Sequence, residues 1–178
     1  MVTLKVTGGK KLEGYLKQFA QKTSTARAVD VGFMDGATYP SGVSVATMAA
    51  FQEYGTGKIP PRSFMRPTVA KRSSAWVHNL GVALALTKGD AAKALAMVGL
   101  NMQENFQTAI TELMAPALSP VTVMLRGMRR NNPSLEVTGA TVGEAAMRVA
   151  AGMTDYGASQ KPLVDTGHML DSLTFKVR

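Results

Sequence analysis

Cysteine is absent from this chain of 178 residues. Its absence excludes disulfide bonds, thiolate metal sites and a cysteine nucleophile, and it is typical of a protein made in a reducing cytoplasm. Histidine is scarce as well, since only His78 and His168 are present. Neither belongs to a close-spaced set of the kind that zinc sites use. We therefore expect no bound metal and no cofactor.

Charged residues make up only 18% of the chain and hydrophobic ones 46%, a balance typical of a globular protein. No run of about 18 apolar residues is available to cross a bilayer. The opening residues 1–10 lack the apolar core of a signal peptide, so we expect no membrane partner and no secretion. The length suits one domain over 1–178, with a proline-rich loop at 55–67 and a segment at 120–162 that the pattern leaves undefined.

Signatures of catalysis are missing too. The glycines in the first quarter of the chain lack the spacing of a dinucleotide fingerprint or a phosphate loop. Ser172 follows His168 closely, but no nucleophile-elbow pattern surrounds it, and triads are assembled in space rather than along the sequence. Asp165 or Thr166 instead fits as the cap of a short helix over 167–171. We expect no catalytic residues, no cofactor-binding residues and no enzyme.

The periodicity of the apolar residues predicts an α+β fold. We expect a small, mostly antiparallel sheet of N- and C-terminal strands, packed against two or three helices, one of them long. Ser44 and Asp90 are residue types that cap helices, and the prolines at 116 and 120 are expected to end the long one. Residues 121–130 fit either a strand or a short helix. The predicted strands are 28–34 and 173–177, and the predicted helices are 11–22, 45–53, 91–113, 144–151 and one that starts after Pro67.

The net charge is +8, from 20 Lys plus Arg against 12 Asp plus Glu, which is enough to attract DNA, RNA or an acidic protein surface. The basic residues are spread along the chain, with local clusters at Lys10-Lys11, Lys71-Arg72 and Arg126 to Arg130. Arg126, Arg129 and Arg130, together with Lys71 and Arg72, would suit a basic nucleic-acid-binding module. They would equally suit a solvated face, a contact with an acidic partner, or the lining of a channel through which DNA passes without sequence recognition.

The segment 49–67, Ala-Ala-Phe-Gln-Glu-Tyr-Gly-Thr-Gly-Lys-Ile-Pro-Pro-Arg-Ser-Phe-Met-Arg-Pro, resembles tail-completion and head-tail joining proteins of tailed bacteriophages. In that family a helix that ends in Glu-Tyr-Gly or Glu-Phe-Gly precedes a loop of the type Ile-Pro-Ala-Arg-Pro-Phe-Leu-Arg-Pro. Pro61, Ser63 and Met65 are mild departures from it. We call this segment the first motif.

The segment 161–177 is similar to the closing signature of the same family. It carries a Leu-x-Asp-Thr-Gly turn at 163–167, a short helix with leucine and serine, and a last strand. We call it the second motif. Two motifs in this order, with a helical region between them, are more specific than either one alone. The middle of the chain matches the family only in its helical character and its basic stretch.

The resemblance implies a virion component of the tail or neck, assembled as a ring in the cytoplasm of the bacterial host. Its partners would be further copies of itself, other tail or head-tail connector proteins, and genomic DNA passing through. A proline-stiffened loop suits the head-to-tail contact that a ring needs. Phe64 would either fill a neighbour's pocket or close the core of its own domain. The implied interface residues are Glu53, Tyr54, Arg62, Phe64, Met65 and Arg66.

Overall fold

A computed structural model describes residues 9–153 and 157–178, with side chains from Lys11 onward. The first eight residues, on which the signal-peptide prediction mostly depends, lie outside these ranges. The α+β class is confirmed, with 58% helix, 7% strand and an antiparallel pair of strands. The described elements are α1 (Gly9–Thr23), β1 (Val29–Phe33), α2 (Val45–Tyr54), α3 (Met65–Leu86), α4 (Ala91–Glu112), α5 (Pro120–Asn131), α6 (Gly139–Ala150), α7 (His168–Asp171) and β2 (Leu173–Val177).

Two helices begin where the sequence places a capping side chain. The Ser44 hydroxyl accepts a hydrogen bond from the Thr47 amide at 3.4 Å, at the start of α2. The Asp90 carboxylate accepts one from the Lys93 amide at 3.1 Å, at the start of α4. Both bonds satisfy amide hydrogens that have no partner inside the helix. The predicted caps are therefore confirmed.

The segment at 120–162, which the pattern left undefined, contains two helices. Ser119 caps α5 by accepting from the Thr122 amide at 3.2 Å, and Pro120 occupies the first turn. Proline is favoured there because it has no amide hydrogen to leave unpaired. Pro120 therefore begins a helix instead of ending the previous one. Helices α5 and α6 pack on each other around Met124, Met128 and Ala145, all buried.

Two helices, α3 and α4, run for 22 residues each, where one long helix was expected. Helix α3 begins at Met65, so Pro67 lies inside its first turn. No helix in the described ranges is long and apolar enough to cross a membrane.

The chain divides into two compact units, each built from separate stretches of sequence. The first unit comprises residues 1–32, 71–104 and 174–178, and the second comprises 33–70 and 105–173. This division does not test the single domain predicted over 1–178, which remains a prediction.

In the first unit the sheet packs on α4 at Gly99. A Cβ atom at Gly99 would lie 2.5 Å from the Phe175 ring and 2.9 Å from Val29. Only glycine therefore allows both strand side chains to reach the backbone of the helix. The turn before α4 is similar, because a Cβ at Gly89 would meet the Phe19 ring at 2.5 Å.

The second unit contains the first motif and residues 161–173 of the second, whose last residues, 174–177, belong to the first unit. Its core includes a set of side chains from α2, the α3 start, the α4 end and α7, each at most 6% exposed, namely Val45, Ala49, Phe64, Phe106, Ile110 and Met169. The functional residues implied by the resemblance therefore all belong to this unit.

Candidate functional site

Glu53, the first residue of the Glu-Tyr-Gly triplet, caps the start of α3 from the end of α2. One carboxylate oxygen, Oε2, accepts from the backbone amides of Phe64 at 2.8 Å and Met65 at 2.9 Å. The other, Oε1, accepts from the amide of Arg66 at 3.0 Å. The next residue, Pro67, has no amide hydrogen. The first four amide positions of a helix have no partner inside it, and here, at residues 64–67, none is left with an unpaired hydrogen.

The Glu53 side chain is buried, with 4% of the residue exposed. Burial by itself raises the pKa of this carboxyl group, because it penalises the charged form. The three backbone amides and the Arg66 guanidinium outweigh that effect and lower the pKa below its ordinary value. Glu53 is therefore charged at neutral pH, and both of its carboxylate oxygens accept hydrogen bonds from groups of its own chain.

Arg66 and Tyr54 form a fixed pair on the surface of the second unit. The Arg66 guanidinium donates to the Glu53 carboxylate at 3.1 Å, to the Glu53 backbone oxygen at 3.0 Å and to the Ser63 hydroxyl at 2.8 Å. Held there, it lies 4.8 Å from the centre of the Tyr54 ring, within range of a cation–π contact. Tyr54 is nevertheless 67% exposed.

Phe51 extends this surface. It stands three residues before Tyr54 on α2, so both side chains lie on the same side of the helix, and it is 41% exposed. We call Phe51, Tyr54 and Arg66 the aromatic patch. Two aromatic rings and an arginine are the side chains most enriched at the centres of protein-protein interfaces.

Arg62 is buried and holds the loop of the first motif to the segment after α4. Its Nε donates to the Pro116 carbonyl at 2.9 Å and its Nη2 to the Ala117 carbonyl at 3.2 Å. Its backbone amide donates to the Gln52 carbonyl at 2.6 Å. Among the described residues no carboxylate pairs with Arg62, so oxygen atoms of neutral groups surround its charge.

The glycine of the Glu-Tyr-Gly triplet ends α2 in a conformation that few other residues adopt. Gly55 has a φ of 76°, in the left-handed region that favours glycine. A Cβ atom there would also lie 2.9 Å from the backbone oxygen of Ile59. The Thr56 hydroxyl closes the turn by accepting from the amides of Lys58 and Ile59 at 3.2 and 3.1 Å.

Phe64 packs in the core of its own chain, which is the second of the two positions expected for it. Its side chain is 2% exposed and makes an edge contact with Phe33, with ring centres 6.2 Å apart. Phe64, Glu53 and Arg62 thus serve the core and the loop of their own chain, and their side chains are not presented to a neighbour. Tyr54 and Arg66 are exposed and Met65 is half-buried, and for these three the interface role remains a prediction.

Arg126, one of the three arginines assigned to DNA or an acidic partner, is engaged within the chain. Its guanidinium donates to four carbonyl oxygens of the second motif and the residues before it, at 2.7 to 3.3 Å, and lies 3.6 Å from the Asp165 carboxylate. Burial lowers its pKa, and Asp165 opposes that effect. Arg129 and Arg130 are exposed, and Arg130 donates to the Gly157 carbonyl. The three arginines therefore do not form one free cationic cluster.

The second motif is tied to the loop after β1 through His168. The imidazole Nε2 lies 2.9 Å from the Thr38 carbonyl oxygen, and the ring contacts Tyr39 in a tilted arrangement, with centres 4.9 Å apart and planes at 53°. The Ser172 hydroxyl donates to the backbone oxygen of His168 at 2.7 Å. Since the hydroxyl and the imidazole have other partners, they do not form a nucleophile-base pair.

The cap expected for α7 differs in detail. Gly167 precedes the helix with a φ of 82° and no side chain caps the helix at that position. The Thr166 hydroxyl accepts from the His168 amide at 3.4 Å, one residue earlier than a standard cap, while Asp165 faces Arg126. In the ranges that are described, no group of three or more histidine, aspartate or glutamate side chains is placed to hold a metal ion.

Comparison of the chain with family models, with curated proteins and with solved structures found no match. The bacteriophage resemblance therefore remains a prediction from the two motifs. Sequence reasoning missed Phe51 as a surface residue and Glu53 as a cap. One signal was available for Glu53: a proline at the third position of the next helix leaves three unpaired amides, which a nearby carboxylate can satisfy.

Proposed function

We propose that this chain is a structural virion protein of a tailed bacteriophage, a tail-completion or head-tail joining component that acts by protein-protein contacts and forms a ring. The observation that carries the proposal is the construction of the first motif. Its buried members, Glu53 and Arg62, lock the loop, and its exposed members, Tyr54 and Arg66, form a rigid surface. A surface that is ordered before binding loses little entropy when a partner docks.

A second observation supports an assembly role. Helix α1 carries four apolar side chains at helical spacing on one face, between 44% and 65% exposed: Leu12, Tyr15, Leu16 and Phe19. Contiguous exposed apolar surface marks interaction sites in soluble proteins. The Phe19 ring lies against Gly89, and covering the rest of this face would add stability to a helix of 15 residues. Association with other subunits would cover this face.

The alternative, a basic nucleic-acid-binding module, is less well supported. It was based on Arg126, Arg129 and Arg130 together with Lys71 and Arg72. Arg126 is bound by backbone carbonyls and Asp165, whereas Lys71 and Arg72 are exposed. The remaining exposed arginines suit the weak, sequence-independent contacts of DNA passing through a ring.

The molar mass of the purified chain, measured by light scattering over a range of protein and salt concentrations, tests ring formation. We expect a closed oligomer at high concentration, visible as rings by electron microscopy. A monomer under all conditions would contradict self-assembly, and a DNA-binding titration would then test the alternative. Independently, mass spectrometry of purified phage particles should find peptides of this chain in the tail or neck. Their absence from complete particles would refute the virion role.

A further inference from the structure

Arg62, in the loop of the first motif, fixes the chain just before α5. Its guanidinium donates to the carbonyl oxygens of Pro116 and Ala117 at 2.9 and 3.2 Å. Helix α5 begins at Pro120, shortly after these two residues. Arg62 itself is 7% exposed, so neighbouring groups hold its side chain in place. The first motif therefore positions the start of α5.

Arg126, in the second turn of α5, holds a segment that precedes α7. We call residues 158–164 the strap; its last four residues begin the second motif. Arg126 donates to four carbonyl oxygens of the strap at 2.7 to 3.3 Å. The backbone–backbone hydrogen bond of the strap in the described ranges is internal, from the Val164 amide to the Lys161 carbonyl at 3.3 Å. Arg126 thus supplies the polar contacts that hold the strap to the rest of the described chain.

Helix α5 can carry a displacement from one arginine to the other. Ser119 caps its start, and α6 packs along it around a buried core that the two helices share. A capped and packed helix moves as one body, because a packed core does not deform continuously. The two arginines are also close in space. Burial lowers the pKa of Arg126, and the positive charge of Arg62 acts in the same direction, so the two guanidinium groups lie within Coulombic range.

We propose that α5 couples the two motifs of this chain, so that loosening the first motif at Arg62 releases the strap at the start of the second. The path runs from Arg62 to the residues before α5, along α5 to Arg126, and from Arg126 to the strap. Each step is a set of hydrogen bonds or a continuous helix. Coupling between two sites is reciprocal, so release of the strap also loosens the loop of the first motif.

The coupling is a property of the folded chain and goes beyond the proposed function. Its consequence for assembly rests on that function. A subunit that docks at Tyr54 and Arg66 would stabilise the first motif and, through α5, the strap. Contact on one surface would thus change a second region of the same chain.

The lack of cysteine permits a single thiol to report opening of the strap. Leu163 is a strap residue that is 6% exposed, so the thiol of Leu163→Cys reacts with a thiol-specific reagent only when the strap opens. Adding Arg62→Gln should accelerate labelling about two- to thirtyfold, the range for substitutions along a coupled network. Arg66→Gln is the matched control, because Arg66 belongs to the same motif but donates to Glu53 and Ser63. Equal acceleration by the two variants would overturn the coupling.

The dependence of labelling on urea separates opening of the strap from unfolding of the second unit. Opening of a short segment exposes little surface, so the labelling rate of Leu163→Cys with Arg62→Gln should change little with urea below the unfolding transition. Val45→Cys gives the reference for unfolding, because Val45 is 0% exposed at the start of α2. A urea dependence as steep as that of Val45→Cys would mean general destabilisation and would overturn the inference.

The reciprocal effect is measured at the Arg62 backbone amide, which donates to the Gln52 carbonyl at 2.6 Å. Arg126→Gln should speed the hydrogen exchange of this amide, followed by NMR, and Arg129→Gln, at an exposed arginine of the same helix, should not. If Arg62→Gln does not fold, Ser119→Ala replaces it in the labelling assay, because loss of the cap loosens the linking helix in the same direction. Absence of acceleration in both assays would overturn the coupling and leave the ring proposal, which light scattering tests, untouched.

Discussion

Replacing Glu53 by glutamine tests the central structural argument. The carboxylate accepts three backbone hydrogen bonds at 2.8 to 3.0 Å in a buried position. A hydrogen bond to a charged group contributes about 1.5–3 kcal/mol and a neutral one about 0.5–1.5 kcal/mol. The amide also turns one acceptor into a donor that faces an N–H group. The Arg66 partner is 58% exposed, so its ion pair adds little.

A loss of about 1 kcal/mol for each of the three bonds sums to about 3 kcal/mol, and the smaller desolvation cost of a neutral side chain reduces it. We therefore expect Glu53→Gln to lower the free energy of unfolding by about 2–3 kcal/mol at pH 7. Urea unfolding followed by far-ultraviolet circular dichroism measures this difference. Glu13→Gln is the matched control, because the Glu13–Lys17 pair is exposed on both sides and should change stability by less than about 0.5 kcal/mol. Equal stabilities of the two variants would refute the capping argument.

The same variant predicts a dependence on pH. The folded-state pKa of Glu53 is lowered from 4.5, so the ionised carboxylate stabilises the folded chain fully above the unfolded pKa. The contribution is lost as the pH falls through the lowered folded-state pKa. We therefore expect the stability difference between the unmodified chain and Glu53→Gln to be constant near neutral pH and to shrink below about pH 4.5. A difference that grows on acidification would contradict the assigned sign.

Three other substitutions test separate contacts. Phe64→Ala should reduce the free energy of unfolding by about 3–5 kcal/mol, whereas Phe51→Ala, at an exposed position, should change it by less than about 1 kcal/mol; comparable losses in denaturant titrations would argue against the core position of Phe64. Arg126→Gln should increase amide hydrogen exchange in the segment that its guanidinium holds, and Arg129→Gln, at an exposed arginine, should not. Gly55→Ala should cost at least about 1 kcal/mol, because its φ is positive and the new Cβ would meet the Ile59 carbonyl; an unchanged melting temperature would contradict that strain.

Local features of this fold were predictable because the interactions behind them join residues that are close in sequence. The caps at Ser44 and Asp90 each involve an amide three residues ahead. The strands at both ends follow from alternation of side chains, and α2 ends at Gly55 because the required φ favours glycine. The α+β class follows from the order of these elements.

The candidate site was predictable only in part. The first motif contains a loop that ends before α3 begins at Met65, two residues earlier than the expected end of the loop at 67. Tyr54 and Arg66 of this motif are exposed, and their interface role remains a prediction. The motif did not distinguish the exposed residues from the buried Glu53, Arg62 and Phe64. Charged and aromatic residues occur at both kinds of position within this short stretch. The burial of those three residues depends on what the loop packs against, including the carbonyl oxygens of Pro116 and Ala117 more than 50 positions away.

By itself the sequence determined the caps that begin α2 and α4, the two strands, the absence of disulfides and the distribution of charge along the chain. Tertiary structure alone decided which charged side chains are free. Glu53 became a helix cap because the next helix brings three amides from 11 to 13 positions ahead to its carboxylate. Arg126 holds the second motif through carbonyl groups more than 30 positions away. A buried charge is tolerated only where such groups converge, and that convergence is a property of the folded chain.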